Sequence, residues 1–277
     1  MSLFQAAVLG VVQGFTEFLP ISSSGHLVLF QTLFGMKEPM VAFDIALHGG
    51  TLLAVLVYFY RDVRDVMADF WGSVAKKNPE KTKDAAGVQA PHKGLWVCIL
   101  ITMIPTGLVA VFFKDFFEKA FTNLTFVACA WLVMGIWLIL SERFQKGQKD
   151  LSCVHYGDAF WVGLVQGVAL MPGISRSGST ILAGMGLGFR KETAAKFSFL
   201  ISIPAVAAAI VLDLKHSISF FISHPAPMVT GFAVSAVVGY LVVRWLMAVI
   251  HKGQFFVFGY YCVAVSLFSF IFAFLSK

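Results

Sequence analysis

The chain states one stretch twice. Residues 10–29 (GVVQGFTEFLPISSSGHLVL) and 163–182 (GLVQGVALMPGISRSGSTIL) align without a gap at a constant separation of 153 positions. Gly10 pairs with Gly163, Gln13 with Gln166, Gly14 with Gly167, Ser22 with Ser175, Ser24 with Ser177 and Gly25 with Gly178. A repeat at half the chain length constrains the fold to two copies of one structural unit. The copies share glycines and serines but not their reactive side chains. The first adds Glu17 and His26, the second Arg176, Ser179 and Thr180. Duplicated scaffolding with unequal chemistry predicts a single site assembled from both halves.

The setting is a bilayer. The chain is 13% charged and 58% hydrophobic, with a mean hydropathy of +0.81; a soluble domain carries about 25% charged residues. Apolar runs of roughly 20 residues, enough to cross the hydrocarbon core as helix, recur along the length. The net charge of +6 sits mainly in loops. It therefore reads as topology and attraction to anionic headgroups, and no nucleic-acid partner is expected. The first Lys or Arg is Lys37, so the amino terminus lacks the basic n-region of a cleavable signal peptide and is expected to stay in the membrane domain. Cys98, Cys129, Cys153 and Cys262 are scattered and predict neither a zinc site nor a disulfide framework.

Six runs predict full spans, at about 43–60, 94–113, 121–141, 193–212, 225–247 and 255–275. Two further regions, about 3–36 and 157–189, are apolar but broken centrally by Pro, Ser and Gly. Interrupted segments persist at membrane depth only inside protein or along a wet cavity. The expected fold is an all-α polytopic membrane protein with six transmembrane helices plus two re-entrant helix–loop–helix hairpins. It forms a single domain over 1–277, in two halves of about 1–141 and 157–277. With the polar connector 61–93 placed in the cytoplasm, fifteen of the 21 Lys and Arg residues lie inside, in 61–93, 142–156, 190–196 and 244–252. Five (Lys37, Lys114, Lys119, Lys215 and Lys277) lie outside, as the positive-inside rule requires. Each half then holds an odd number of spans, three, so the second is inverted relative to the first. That is an inverted-topology repeat, in which broken helices meet near the midplane.

The two turns carry the chemistry. A charged Glu17 on an intramembrane helix costs about 2.5–3.5 kcal/mol. A cation, a partner such as Arg176, or a water-filled cavity must offset it. Gln13 lies four residues earlier on the same helix face. The pair offers two oxygens to a hard divalent cation, Mg²⁺ or Ca²⁺; the competing reading is an internal salt bridge joining the hairpins. Ser22, Ser23, Ser24 and Gly25, and in the second copy Ser175, Arg176, Ser177 and Gly178, precede apolar helices. Alone they are ordinary N-caps. Facing each other, with a guanidinium between them, they suit a phosphate group. His26 beside these hydroxyls is a candidate general acid/base for phosphoryl transfer. His48 and Asp44, within a span, and Tyr260 and Cys262, in the last one, are expected to be structural.

EFLPISSSGH (Glu17 to His26) and PGISRSGST (Pro172 to Thr180) resemble the two signature stretches of the bacterial undecaprenyl-pyrophosphate phosphatases of the bacitracin-resistance type. The resemblance extends over nearly the whole chain. It implies a divalent-cation-dependent membrane hydrolase in the bacterial inner (plasma) membrane, with its site open to the periplasmic or outer side. Such an enzyme removes the terminal phosphate of undecaprenyl pyrophosphate and recycles the lipid carrier for peptidoglycan and other cell-wall polymers. Matched by motif, the catalytic set is Glu17, Ser23, His26 and Arg176. The substrate-binding set is Ser22, Ser24, Gly25, Gly173, Ser175, Ser177 and Thr180, and the metal ligands are Glu17 and Gln13. Ser23 attacks phosphorus or positions the attacking water. Relatives carry a second Glu where this chain has Gln13, and many an Arg near Cys262, so this site has less charge than theirs. The alternative is a transporter or flippase of polyprenyl phosphate or another anionic lipid, using the same inverted-repeat site. The expected partners are the polyprenyl pyrophosphate, membrane lipids and a second copy in a homodimer.

Overall fold

A computed structural model describes residues 1–36, 40–75, 94–144, 147–250 and 254–275. Twelve α-helices are found among them: α1 (Leu3–Thr16), α2 (Ser23–Leu33), α3 (Val41–Tyr58), α4 (Tyr60–Val74), α5 (Leu95–Phe112), α6 (Lys114–Phe121), α7 (Leu124–Leu140), α8 (Tyr156–Val168), α9 (Arg176–Gly186), α10 (Lys191–Ser223), α11 (Pro225–Val249) and α12 (Phe255–Leu275). No strand occurs among the described residues; a single parallel bridge joins Lys149 and Phe189.

Five helices are long and apolar enough to cross a membrane: α3, α5, the first 23 residues of α10, α11 and α12. α7 has 17 residues and makes a sixth when taken with α6, from which it turns by 104°. The outward faces are greasy: Val111, Phe112, Leu212 and Phe274 are each at least 75% exposed. A surface of that kind is one for lipid or for another apolar protein face. α4 falls in the stretch expected to be a polar connector, of which 76–93 lies outside the described residues. Val66 is buried while Arg61, Arg64 and Asp65 face outward, so the helix is amphipathic and its charged face hid it from a hydropathy reading. α6 is built alike, burying Phe117 and Ala120.

The duplicated stretches fold alike. Adding 153 to the bounds of α2 gives those of α9, and α8 begins where α1 does on the same scale. Each copy then packs on the other half: α1 runs along α11, and α8 along α5. The repeated glycines explain why. A Cβ on Gly10 or Gly14 would lie 2.8–2.9 Å from the α11 backbone at Gly231, Ser235 and Gly239. One on Gly163 or Gly167 would strike α5 at Thr102 and Val109. Both are small-x-x-x-small stripes, the sequence device that brings apolar helices into close contact where no hydrophobic driving force exists. α7 and α12 close the arrangement by packing on each other, with Gly135 and Gly259 each set against the other's carbonyl.

Candidate active site

The break after α1 and the break after α8 meet. Residues 17–21 form turns, and their carbonyls cannot be satisfied within a helix. Other elements supply the donors. The Leu19 carbonyl accepts from Ser175 Oγ (3.3 Å) and Ser177 Oγ (3.0 Å) at the start of α9. Ile21 accepts from Trp131 Nε1 of α7 (2.9 Å), and Pro20 from Cys262 Sγ of α12 (3.8 Å). The tips interlock at matched positions. A Cβ on Gly25 would lie 3.2 Å from the Gly173 Cα, and one on Gly178 would lie 3.1 Å from the Pro20 Cα. Gly178 is the repeat partner of Gly25, as Gly173 is of Pro20. Gly173 also needs its φ of +92, which any other residue adopts at a cost.

Both following helices are capped by the first serine of the turn. Ser22 Oγ accepts from Gly25 N (3.3 Å) and Ser175 Oγ from Gly178 N (3.1 Å). Ser22 holds φ +67 and is the one non-glycine residue at positive φ among the described residues. That conformation costs about 1–3 kcal/mol and concentrates at working sites.

The first residues of the two helices, Ser23 and Arg176, are repeat partners. Both reach the same carboxylate. Arg176 Nη2 donates to Glu17 Oε1 at 2.5 Å, and Ser23 Oγ donates to Glu17 Oε2 at 2.6 Å. Gln13 Nε2 adds a third bond to Oε2 (3.0 Å), and His48 Nε2 lies 3.8 Å from it. Glu17 is buried, with 7% of its side chain exposed. The guanidinium thus offsets the buried charge. Two buried polar atoms at this centre have no hydrogen-bond partner: Arg176 Nη1 and Gln13 Oε1. Such orphans are costly and ask for a ligand; an unpartnered guanidinium N–H suits an oxyanion.

The remaining expected site residues divide. Ser22 and Ser24 sit with their hydroxyls 3.3 Å apart. Ser175 and Ser177, expected to hold substrate, spend their protons on Leu19. Thr180 is one turn deeper, bonded to the Arg176 carbonyl (2.8 Å) and to Ser198 Oγ (2.6 Å). His26 does not bond Ser23. Its Nδ1 meets the Ser22 carbonyl at 2.7 Å and its Nε2 meets the Tyr261 hydroxyl at 2.8 Å. The base within reach of Ser23 is Glu17. Gln166, the repeat partner of Gln13, donates to Thr106 Oγ1 (3.2 Å) far from the carboxylate's partners. Asp44 accepts from Gln31 Nε2 (2.8 Å), and its carbonyl fixes His48 Nδ1 (2.7 Å).

His48, expected from sequence to be structural, instead stands beside the Glu17 carboxylate; as an ionisable group inside a span it carried a signal. Tyr261 was not singled out and carried no signal, being 235 residues from His26.

A cation has two protein oxygens to use, the orphaned Gln13 Oε1 and the Glu17 carboxylate. No group of three or more His, Cys, Asp or Glu side chains suited to a metal occurs among the described residues. One carboxylate completed by phosphate and water oxygens is within the mode Mg²⁺ uses, and here that carboxylate also accepts from Arg176, Ser23 and Gln13.

The family described as bacitracin resistance protein BacA matches residues 6–268. Among curated relatives, the undecaprenyl-diphosphatase of Halothermothrix orenii is 39% identical over 269 residues, 96% of each chain. That of Desulforapulum autotrophicum is 38% identical over 280 residues, the full length of both. That of Methanobrevibacter smithii is 39% identical over 272 residues, 98% of each. With a match of that extent, carried on a many-helix apolar scaffold, the chain is a multi-pass membrane protein that belongs to the bacitracin resistance protein BacA family.

Proposed function

We propose that this chain is an integral-membrane phosphatase that hydrolyses undecaprenyl pyrophosphate to undecaprenyl phosphate and inorganic phosphate. The observation that carries the reading is the convergence of Ser23 and Arg176, from different halves, on Glu17, beside an unpartnered guanidinium N–H. A nucleophile bonded to a base, next to an oxyanion donor, is the minimum for phosphoryl transfer.

An incoming terminal phosphate competes with Glu17 for Arg176. Bidentate capture by the guanidinium releases Glu17 Oε1 and leaves Oε2 on the Ser23 hydroxyl. Glu17 then accepts the Ser23 proton as Oγ attacks phosphorus, and the bond from phosphorus to the bridging oxygen breaks. Water later cleaves the phosphoserine. In the variant path Ser23 instead holds the attacking water. The backbone N–H groups at the start of α9 line the phosphate side, while Ser175 and Ser177 brace the first tip through the Leu19 carbonyl. His26, one turn along α2 from Ser23, is the second proton-handling group. A divalent cation at Gln13 and Glu17 would neutralise phosphate charge when bound.

The proposed topology has six spans and two re-entrant hairpins in an inverted repeat. α1 and α2, with 14 and 11 residues, are about 21 and 16 Å long. Neither crosses the roughly 30 Å core, and α8 and α9 are as short. With the basic segments inside, the site faces the outer side of the plasma membrane, and the exposed apolar faces are the surface for a homodimer. The flippase alternative is not favoured. The relatives are named for a diphosphatase, and transport has no use for a hydroxyl bonded to a carboxylate.

Detergent-purified protein should release phosphate from undecaprenyl or farnesyl pyrophosphate. Arg176→Ala and EDTA should each abolish release. No release in any divalent ion, with labelled-lipid movement in liposomes, overturns the reading. Trapped phosphoserine would select serine attack; full activity in Ser23→Ala would exclude it.

A further inference from the structure

The mechanism leaves one contact unused. His26 is 3% exposed and has both ring nitrogens engaged. The Ser22 carbonyl, 2.7 Å from Nδ1, can only accept, so Nδ1 carries a proton. In the neutral ring Nε2 is then the acceptor, and the group that meets it is the Tyr261 hydroxyl at 2.8 Å. The two rings lie 9° from parallel with centroids 5.7 Å apart. Trp131 closes the other side edge-on, its centroid 5.1 Å away. Tyr261 comes from α12, 44% exposed, while His26 is on α2. The last helix thus supplies the second partner of a buried imidazole in the first hairpin.

We infer that Tyr261 is a positioning residue for His26. The Ser22 carbonyl fixes the Nδ1–H tautomer, and the Tyr261 hydroxyl, donating to Nε2, holds the ring in its plane. The assignment follows from donor arithmetic. A neutral imidazole has one N–H and one lone pair, and the partner on one nitrogen fixes the role of the other. Replacing the hydroxyl with hydrogen leaves Nε2 without its donor and the ring anchored at Nδ1 alone. Groups that orient a metal-bound histidine in this way contribute about 10- to 100-fold to affinity or activity, and the same scale is taken for His26. The neighbouring Tyr260 is 61% exposed, packs edge-on against Phe256, and should contribute nothing of this kind.

The consequence for activity rests on the hydrolase reading; the ring contact itself does not. The test therefore has two arms on the full-length protein in detergent. In the first, Tyr261→Phe keeps the ring and removes the hydroxyl. With undecaprenyl or farnesyl pyrophosphate, kcat should fall about 10- to 100-fold, with KM within twofold and with Tyr260→Phe unchanged. In the second, the ring-nitrogen chemical shifts of His26, identified by their loss in His26→Ala, should report the Nδ1–H tautomer in the parent. Its Nε2 signal should move in Tyr261→Phe and stay in Tyr260→Phe. Unchanged His26 shifts in Tyr261→Phe overturn the inference whatever the activity, as does full kcat in that variant. If the parent releases no phosphate, the hydrolase reading fails and the second arm still decides the pair.

Discussion

Replacing Glu17 with Gln tests the chemistry at its centre. The carboxylate accepts three hydrogen bonds, from Arg176, Ser23 and Gln13. A glutamine amide has one oxygen and one NH₂ group. If its oxygen faces Arg176, its NH₂ faces the Ser23 hydroxyl, which must then accept where it had donated, and it also faces the Gln13 NH₂, donor against donor. Ser23 loses its base, an effect of about 10²–10⁴ in rate, or about 2.7–5.5 kcal/mol of transition-state stabilisation. The ion pair with Arg176 becomes a bond from a charged donor to a neutral amide oxygen, a further loss of about 1–2 kcal/mol, this one in folding stability. Phosphate release under saturating undecaprenyl pyrophosphate should therefore fall by at least about 10², with a melting temperature only modestly lower. Activity within threefold of the parent would mean that the Ser23–Glu17 bond has no part in turnover, and the proposed mechanism would be discarded.

Three further outcomes follow from the packing. Gly25→Ala places a methyl 2.7 Å from the Trp131 ring, and overpacking of this kind costs about 1–3 kcal/mol, so thermal melting should show a clear loss. Trp131→Phe strips the Ile21 carbonyl of its donor at a buried turn. It should destabilise by about 1–3 kcal/mol and reduce phosphate release as well, whereas an effect on neither would separate that bond from the site. Gly14→Leu should disrupt the α1–α11 seam, where even a Cβ would sit 2.8 Å from the Ser235 carbonyl, and the variant should fail to accumulate in membranes.

Much of this was legible because the constraint is local or repeated. The 153-residue repeat marks both broken helices, since Pro20, Ser22 and Gly25 and their counterparts punctuate the backbone wherever they occur. The burial cost of Glu17 demanded a partner, and Arg176 is where the second copy puts its one charged side chain. The glycines at positions 10, 14, 163 and 167 were visible as a pattern, but not their targets on α11 and α5. Contacts between helices with no common periodicity leave no trace in a single sequence. That is why Tyr261 escaped notice, and why Glu17, rather than His26, emerges as the group on Ser23 only in three dimensions. α4 was missed for another reason. A helix lying with one face on the core and one in water has little net hydropathy, and Arg61, Arg64 and Asp65 dominated its average.

The central claim is that residues 17 and 176, from opposite halves, work as one unit. A double-mutant cycle on kcat/KM, using Glu17→Gln, Arg176→Ala and the pair, measures that coupling directly. The account predicts strong non-additivity, with the double variant losing little more than the worse single one, because either change alone already dismantles the shared centre. Losses that multiply would show two residues acting independently, and a site built jointly by the two turns would be contradicted.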